Sequence, residues 1–238
     1  MKKSSIKTIS VITIFAVAMA FLESVVVVYL RKLYYPSGFN FPLYLIDTNI
    51  LSIEWIREFF TIVMLISVAI LAGKKFIDRT AYFFYAFAIW DIFYYIWLKV
   101  LLNWPASFFT WDLLFLIPWP WNSPVLAPII YSIVLIVLSL CILHCYDKNQ
   151  SLKFKTKEVL LFVVGSLVIL YTFLIDYGKL IFSNNFASQF FSLASNSNFL
   201  DIVSSFIPKY YSWLLFIVGE ILILISIYLF WKRNKKLR

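Results

Sequence analysis

Histidine occurs once in this 238-residue chain, cysteine twice and glycine five times. Each scarcity removes a class of protein. One histidine, His144, is too few for a bis-histidine haem, or for the multi-histidine zinc and di-iron centres of membrane hydrolases and desaturases. Two cysteines cannot build a disulfide framework, and five glycines exclude collagen. No GxxxxGK[ST] run is present, so there is no phosphate-cradling energy module. No G-x-S-x-G occurs, so the nucleophile-elbow signature of serine hydrolases is missing. Charge is also sparse: 14% of residues are Asp, Glu, Lys or Arg, against roughly a quarter in soluble domains. What fills the chain instead is apolar. Hydrophobic residues make up 63%, against about 45–50% in soluble domains, and the mean hydropathy is +0.88. A soluble fold of this size cannot hide that much apolar surface. The composition predicts an all-α, polytopic membrane bundle forming a single transmembrane domain over residues 1–238.

A spanning helix needs about 20 mostly apolar residues, and six stretches fit: 9–30, 53–71, 80–101, 124–144, 159–175 and 211–231. All are too long for barrel strands. Of the 21 Lys and Arg, 15 fall on one side of this arrangement. They are Lys2, Lys3 and Lys7; Lys74, Lys75 and Arg79; Lys148, Lys153, Lys155 and Lys157; and Lys232, Arg233, Lys235, Lys236 and Arg238. By the positive-inside rule that side is cytoplasmic, and both termini lie there. The net charge of +9 is thus a topology signal. Nucleic-acid binding is not expected, because no basic segment is interleaved with a stacking platform. The first span has a second interpretation. Basic residues, an apolar run and Ala16-Val17-Ala18-Met19-Ala20 resemble a cleavable secretory signal, although the run continues to Leu30 as an anchor would.

The outer connections, 31–52, 102–123 and 176–210, are the long ones, which points to an extracytoplasmic working face. Segment 102–123 carries Trp104, Trp111, Trp119 and Trp121, with corners at Pro105, Pro118 and Pro120; Pro124 and Pro128 follow. It is expected in the membrane interface as an aromatic belt, or as a re-entrant element. Either Pro124 or Pro128 suits the first turn of the fourth span. In 176–210, Phe182, Phe186, Phe190 and Leu193 recur at three or four residues among Ser and Asn, which predicts an amphipathic surface helix.

Ionisable residues inside spans are expensive and raise a functional hypothesis by default. Glu54, Arg57, Glu58 and Thr61 fall on one helical stripe. Together with Glu23, Arg31, Lys99, Asp112 and Asp176 they belong to the outer third, where a shared polar vestibule is expected. Glu23, Arg31, Glu54, Arg57, Lys99, Tyr94 and Tyr95 are the candidate ligand-binding residues. Asp91, Glu58 and Asp112 are the candidates for any catalysis. Glu23, Asp91 and Glu220, nearer mid-depth, are the candidates for proton coupling. Glu54 and Glu58 are expected to pair with Arg57, Lys99 or Arg31, and Tyr94 or Tyr95 to satisfy Asp91. The planar fork of Arg57 suits a phosphate or carboxylate head group. The competing interpretation is that these charges only bind helices together. Cys141, His144 and Cys145 share one helical face, but three ligands do not close a metal site; no metal and no cofactor is expected.

Three blocks, Trp90–Pro128 (WDIFYYIWLKVLLNWPASFFTWDLLFLIPWPWNSPVLAP), Phe21–Pro36 (FLESVVVVYLRKLYYP) and Glu54–Leu65 (EWIREFFTIVML), resemble a family of uncharacterised bacterial multi-spanning integral membrane proteins. The resemblance implies a bacterial inner-membrane location and that the blocks belong together, and it carries no activity. The residues themselves leave three classes open. They are a site that binds or processes a lipid or amphiphile entering from the outer leaflet, a small proton-coupled carrier, and a non-catalytic subunit or assembly factor. Membrane lipids are the expected partners.

Overall fold

A computed structural model describes residues 1–186 and 196–235. The described residues include six helices long and apolar enough to cross a membrane. They are α1 (Lys3–Tyr34), α2 (Thr48–Ala72), α3 (Phe76–Leu102), α4 (Leu126–Lys148), α5 (Thr156–Ser183) and α7 (Trp213–Lys235). A short helix, α6 (Ser197–Val203), and two strands, β1 (Trp111–Phe115) and β2 (Trp121–Pro124), complete the order. The chain is an all-α polytopic bundle, with one β-hairpin among the described residues. Most helices overrun their expected ends by several residues. The apolar run marks only the stretch crossing hydrocarbon, whereas the polar flanks stay helical because continuing the helix satisfies their backbone groups.

α3 is the central helix, packing against α1, α2 and α4. α4 continues the bundle to α7, which makes an extensive contact with α5. That contact is backbone-close. A Cβ on Gly165 would stand 2.7 Å from the Gly219 carbonyl oxygen, so neither position has room for a side chain. Small residues at the crossing allow the close van der Waals packing that replaces the hydrophobic effect between helices in lipid. α1 is tied to α3 by polar bonds within the bundle. Thr13 and Tyr85 share a hydroxyl bond of 2.9 Å, and Trp97 Nε1 donates to the Val17 carbonyl at 3.1 Å.

One end of the bundle gathers the basic segments. The Lys2 N–H and the Ser5 hydroxyl both donate to Asp147 at 2.6 Å. Lys75 Nζ reaches the Gln150 carbonyl at 2.9 Å. Arg233 grips both Glu158 oxygens at 2.7 Å. These bonds bring the N-terminus, the α2–α3 and α4–α5 connections and the C-terminal helix to a common face, which the positive-inside rule assigns to the cytoplasm.

The opposite end holds the elaborated connections. Residues 111–124 form an antiparallel hairpin pairing Trp111 with Pro124, Asp112 with Ser123 and Leu113 with Asn122, with an irregularity before Phe115 pairs with Trp121. A hairpin satisfies much of its own backbone, so it can sit among helix ends where a solvated loop could not. Pro124 ends β2, and it is Pro128 that occupies the first turn of α4. The segment expected to hold a surface helix, 176–210, is described only in part. Residues 176–183 instead continue α5, because its apolar stripe, with Tyr177 and Ile181 fully buried, runs straight on. Phe190 and Leu193 lie outside the described residues.

Cysteine accessibility checks this arrangement. In a background without Cys141 and Cys145, cysteines at Ser4, Phe76 and Gln150 should resist a membrane-impermeant thiol reagent in intact cells, and those at Asn40 and Lys209 should react. Labelling of position 150 without lysis would invert the bundle.

Candidate functional site

Between α1, α2, α3, the start of α4 and the hairpin lies a cavity of about 180 Å³. Glu23, Arg31, Glu54, Arg57, Glu58, Asp91, Tyr94, Tyr95 and Asp112 all line it, in walls that are otherwise mostly aliphatic and aromatic. Four segments remote in sequence therefore converge on one chamber.

α2 contributes its stripe as the spacing requires. Glu54, Glu58 and Thr61 are buried and Arg57 is half-buried. Arg57 is the hub. Its Nε donates to Glu54 Oε2 at 2.8 Å, with Nη2 2.7 Å from the same oxygen, and its Nη1 bonds Glu23 Oε1 on α1. The Thr61 hydroxyl stands 3.5 Å from the other Glu23 oxygen. A guanidinium between two carboxylates offsets their repulsion and ties α1 to α2. It also commits the fork. The expectation that Arg57 receives an anionic head group meets two carboxylates already in that position.

Glu58 pairs with no arginine, contrary to expectation. Both of its oxygens accept the Leu116 N–H, at 3.1 and 2.9 Å, so α2 anchors the hairpin through a carboxylate. Asp91 is not satisfied by Tyr94 or Tyr95. The Ser132 hydroxyl of α4 donates to it at 2.9 Å. α4 packs against α3 there, and Tyr95 interacts instead with the Asp112 carboxyl.

Arg31 stands in the last turn of α1, where a cation suits the helix dipole. Its Nη2 meets Asp112 Oδ1 of β1 at 3.0 Å. Its guanidinium carbon lies 4.4 Å from the Phe39 ring centroid and 3.8 Å from that of Trp104. Only 7% of Arg31 is exposed and Asp112 is wholly buried. The pair is half-made: Arg31 Nη1 and Asp112 Oδ2 have no hydrogen-bond partner. Further bonds hold the hairpin from the far side, Asn122 Nδ2 to Asp176 at 2.9 Å and Trp119 Nε1 to the Leu174 carbonyl at 3.0 Å. Asp176 thus serves the hairpin from α5 and does not line the cavity.

Two further candidates lie elsewhere. Lys99 turns away, its Nζ capping the carbonyls of Asn103 and Pro105 at 3.3 and 3.0 Å. The chain leaves the helix at Asn103 with φ 52°, and the freed carbonyls recruit the nearest flexible cation. Glu220 is buried on α7, away from the cavity, with neither oxygen hydrogen-bonded. The proton-coupling candidates Glu23, Asp91 and Glu220 therefore do not form one group. Among the described residues no cluster of three or more His, Cys, Asp or Glu could hold a metal. Ser132, Trp90 and the ring pair Phe39 and Trp104 were not distinguishable in sequence. Only Trp104 carried a signal, as part of the aromatic segment.

Asp112 titrates in an unusual range. Burial pushes its carboxyl up, from an ordinary 3.8 to about 6, against the opposing pull of Arg31 and the Leu113 N–H. The folded protein thus holds this proton more tightly than the unfolded chain. Its contribution to stability is full below about pH 4 and falls as pH rises to about 6, by about 3 kcal/mol. Unfolding midpoints of the detergent-solubilised protein, measured from pH 4 to 7, should fall more steeply for the parent than for Asp112→Asn. Parallel curves would mean that Asp112 is ordinary.

The chain is a multi-pass membrane protein, and no protein-family model, curated protein or solved structure matches it.

Proposed function

We propose that this protein binds a lipid or amphiphilic small molecule in the chamber at the extracytoplasmic end of the bundle. The observation that carries this reading is the combination of charge and apolar wall in one cavity. Seven ionisable groups of α1, α2, α3 and β1 share a space whose remaining lining is aliphatic and aromatic. Sites for small molecules are concave, mostly apolar and oriented by a few polar groups. Here the surroundings of the helices are themselves apolar, so a molecule with a polar head and an apolar tail matches both parts. Helix-binding charges alone would be expected to close on one another. Instead Arg31 and Asp112 each keep a buried, unpartnered atom, which costs about 1–3 kcal/mol per group unless something else meets it. The resemblance to bacterial multi-spanning proteins supports a bacterial inner-membrane location. The carrier reading has less support, because Glu220 is separated from the other mid-depth carboxylates.

Val27 lines the chamber from α1, and Val27→Trp should fill it. Mass spectrometry of the protein extracted in a mild uncharged detergent should find an amphiphile bound to the parent and depleted in Val27→Trp, with the variant still unfolding in one cooperative transition. Equal lipid content in the two would remove the chamber as the binding site.

A further inference from the structure

The chamber's charge inventory narrows the class of molecule, an inference that rests on the amphiphile reading above. Five carboxyl groups line it, Glu23, Glu54, Glu58, Asp91 and Asp112, against only the two guanidiniums of Arg31 and Arg57. Both cations are committed. Arg57 is held by Glu23 and Glu54, and Arg31 by Asp112 with Phe39 and Trp104 over its guanidinium. Matched one for one, the arginines leave three carboxyl groups without a cation. Glu58 has only a backbone N–H and Asp91 only a serine hydroxyl.

A second feature is independent of that count. Asp112 is wholly buried, lines the chamber, and keeps Oδ2 without a hydrogen-bond partner, as Arg31 keeps Nη1. The Arg31–Asp112 pair therefore keeps one open donor and one open acceptor, with Tyr95 beside the Asp112 carboxyl. The walls agree with the acidic surplus. Trp90, Tyr94, Tyr95 and Trp121 line the chamber, and aromatic faces carry the negative end of the ring quadrupole, which attracts cations. The carboxylates are too dispersed to ligate a metal ion, whereas an organic cation is bulky, needs no fixed coordination shell and gains from ring contact.

We infer that the chamber takes the ammonium group of an amphiphile. The surplus carboxyl groups ionise when a cation enters to pair with them, the rings supply the shape, and the hydrocarbon around the helices is the environment for the tail. Two sources carry that chemistry. One is a simple alkylamine. The other is a zwitterionic aminophospholipid, whose phosphate would lie beside the ammonium and meet the open Arg31 Nη1 while the ammonium meets Asp112 Oδ2.

The test uses the full chain in dodecyl maltoside, titrated with decylammonium, decyltrimethylammonium, decanoate and decyl glucoside. The readout is the ligand-dependent rise of the unfolding midpoint. Both ammonium probes should saturate at concentrations at least about tenfold below decanoate, the ratio expected from one desolvated cation–ring or charge-assisted contact. Glu58→Gln, which still offers an oxygen to Leu116, and Asp91→Asn, which still offers one to Ser132, should each weaken the ammonium probes by about tenfold and leave decyl glucoside unchanged. If Asp91→Asn does not fold, Glu58→Gln decides. Micelles doped with phosphatidylethanolamine or phosphatidylglycerol separate the sources. Competition by the former alone identifies a lipid head group, and saturation by decylammonium with no competition from either lipid identifies a simple amine. If decanoate or decyl glucoside binds as tightly as the ammonium probes, the ammonium assignment is overturned while an amphiphile site stands. If no probe saturates, or if Val27→Trp responds as the parent does, the amphiphile reading falls with it.

Discussion

A charge carried into the outer half of a membrane bundle is costly until a counter-charge or a hydrogen-bond donor from another element meets it, and that constraint organises this end of the molecule. Arg57 is the clearest case. Standing between Glu54 on its own helix and Glu23 on α1, it converts three costly side chains into a tie between two spans. Removing one member would leave its partners buried and uncompensated, the situation that makes broken ion pairs far more damaging than absent ones. α2 packs otherwise mainly on α3, so the Arg57 tie is a principal link from α2 to the first span.

The hairpin depends on the same economy. An irregular segment of this length at helix ends would expose backbone groups that neither lipid nor buried protein can satisfy. Pairing β1 with β2 answers most of that demand. Glu58 meets the Leu116 N–H, while Arg31 and Asp176 hold the hairpin by its side chains Asp112 and Asn122. The chamber is what remains beneath. Its roof is a hairpin stapled by carboxylates and a guanidinium, and its walls are helix faces whose other charges are only partly matched.

Much of this was legible in the sequence, and the boundary has a physical basis. Six apolar runs and the clustering of lysines identify the spans, because hydrocarbon thickness and loop charge act on the chain locally. The stripe Glu54, Arg57, Glu58 and Thr61 follows from helical periodicity, and the convergence of its charges with Glu23, Arg31 and Asp112 from shared depth; Asp91, read as nearer mid-depth, joins them in the chamber. Pairing was not legible. Depth puts Lys99 beside the other charges, but rotation about α3 and the turn at Asn103 send it to carbonyls instead. Ser132 reaches Asp91 because α4 crosses α3 at that level, and the Leu116 N–H reaches Glu58 because a hairpin forms where the aromatic content suggested a belt or a re-entrant element, without its pairing. Each of these depends on which helix lies next to which, and one chain's periodicity carries no such information.

The account turns on Arg57 being a tie between α1 and α2, and so unavailable to an anionic ligand. The most direct measurement is the double-mutant cycle of Glu23→Gln and Arg57→Met, with unfolding free energies measured in uncharged detergent. A coupling energy of about 1–3 kcal/mol, the range for residues in direct contact within one network, is the predicted result. Additivity of the two substitutions to within about 0.5 kcal/mol would contradict it, because Arg57 would then be free to serve an incoming anion and the acidic balance of the chamber would no longer hold.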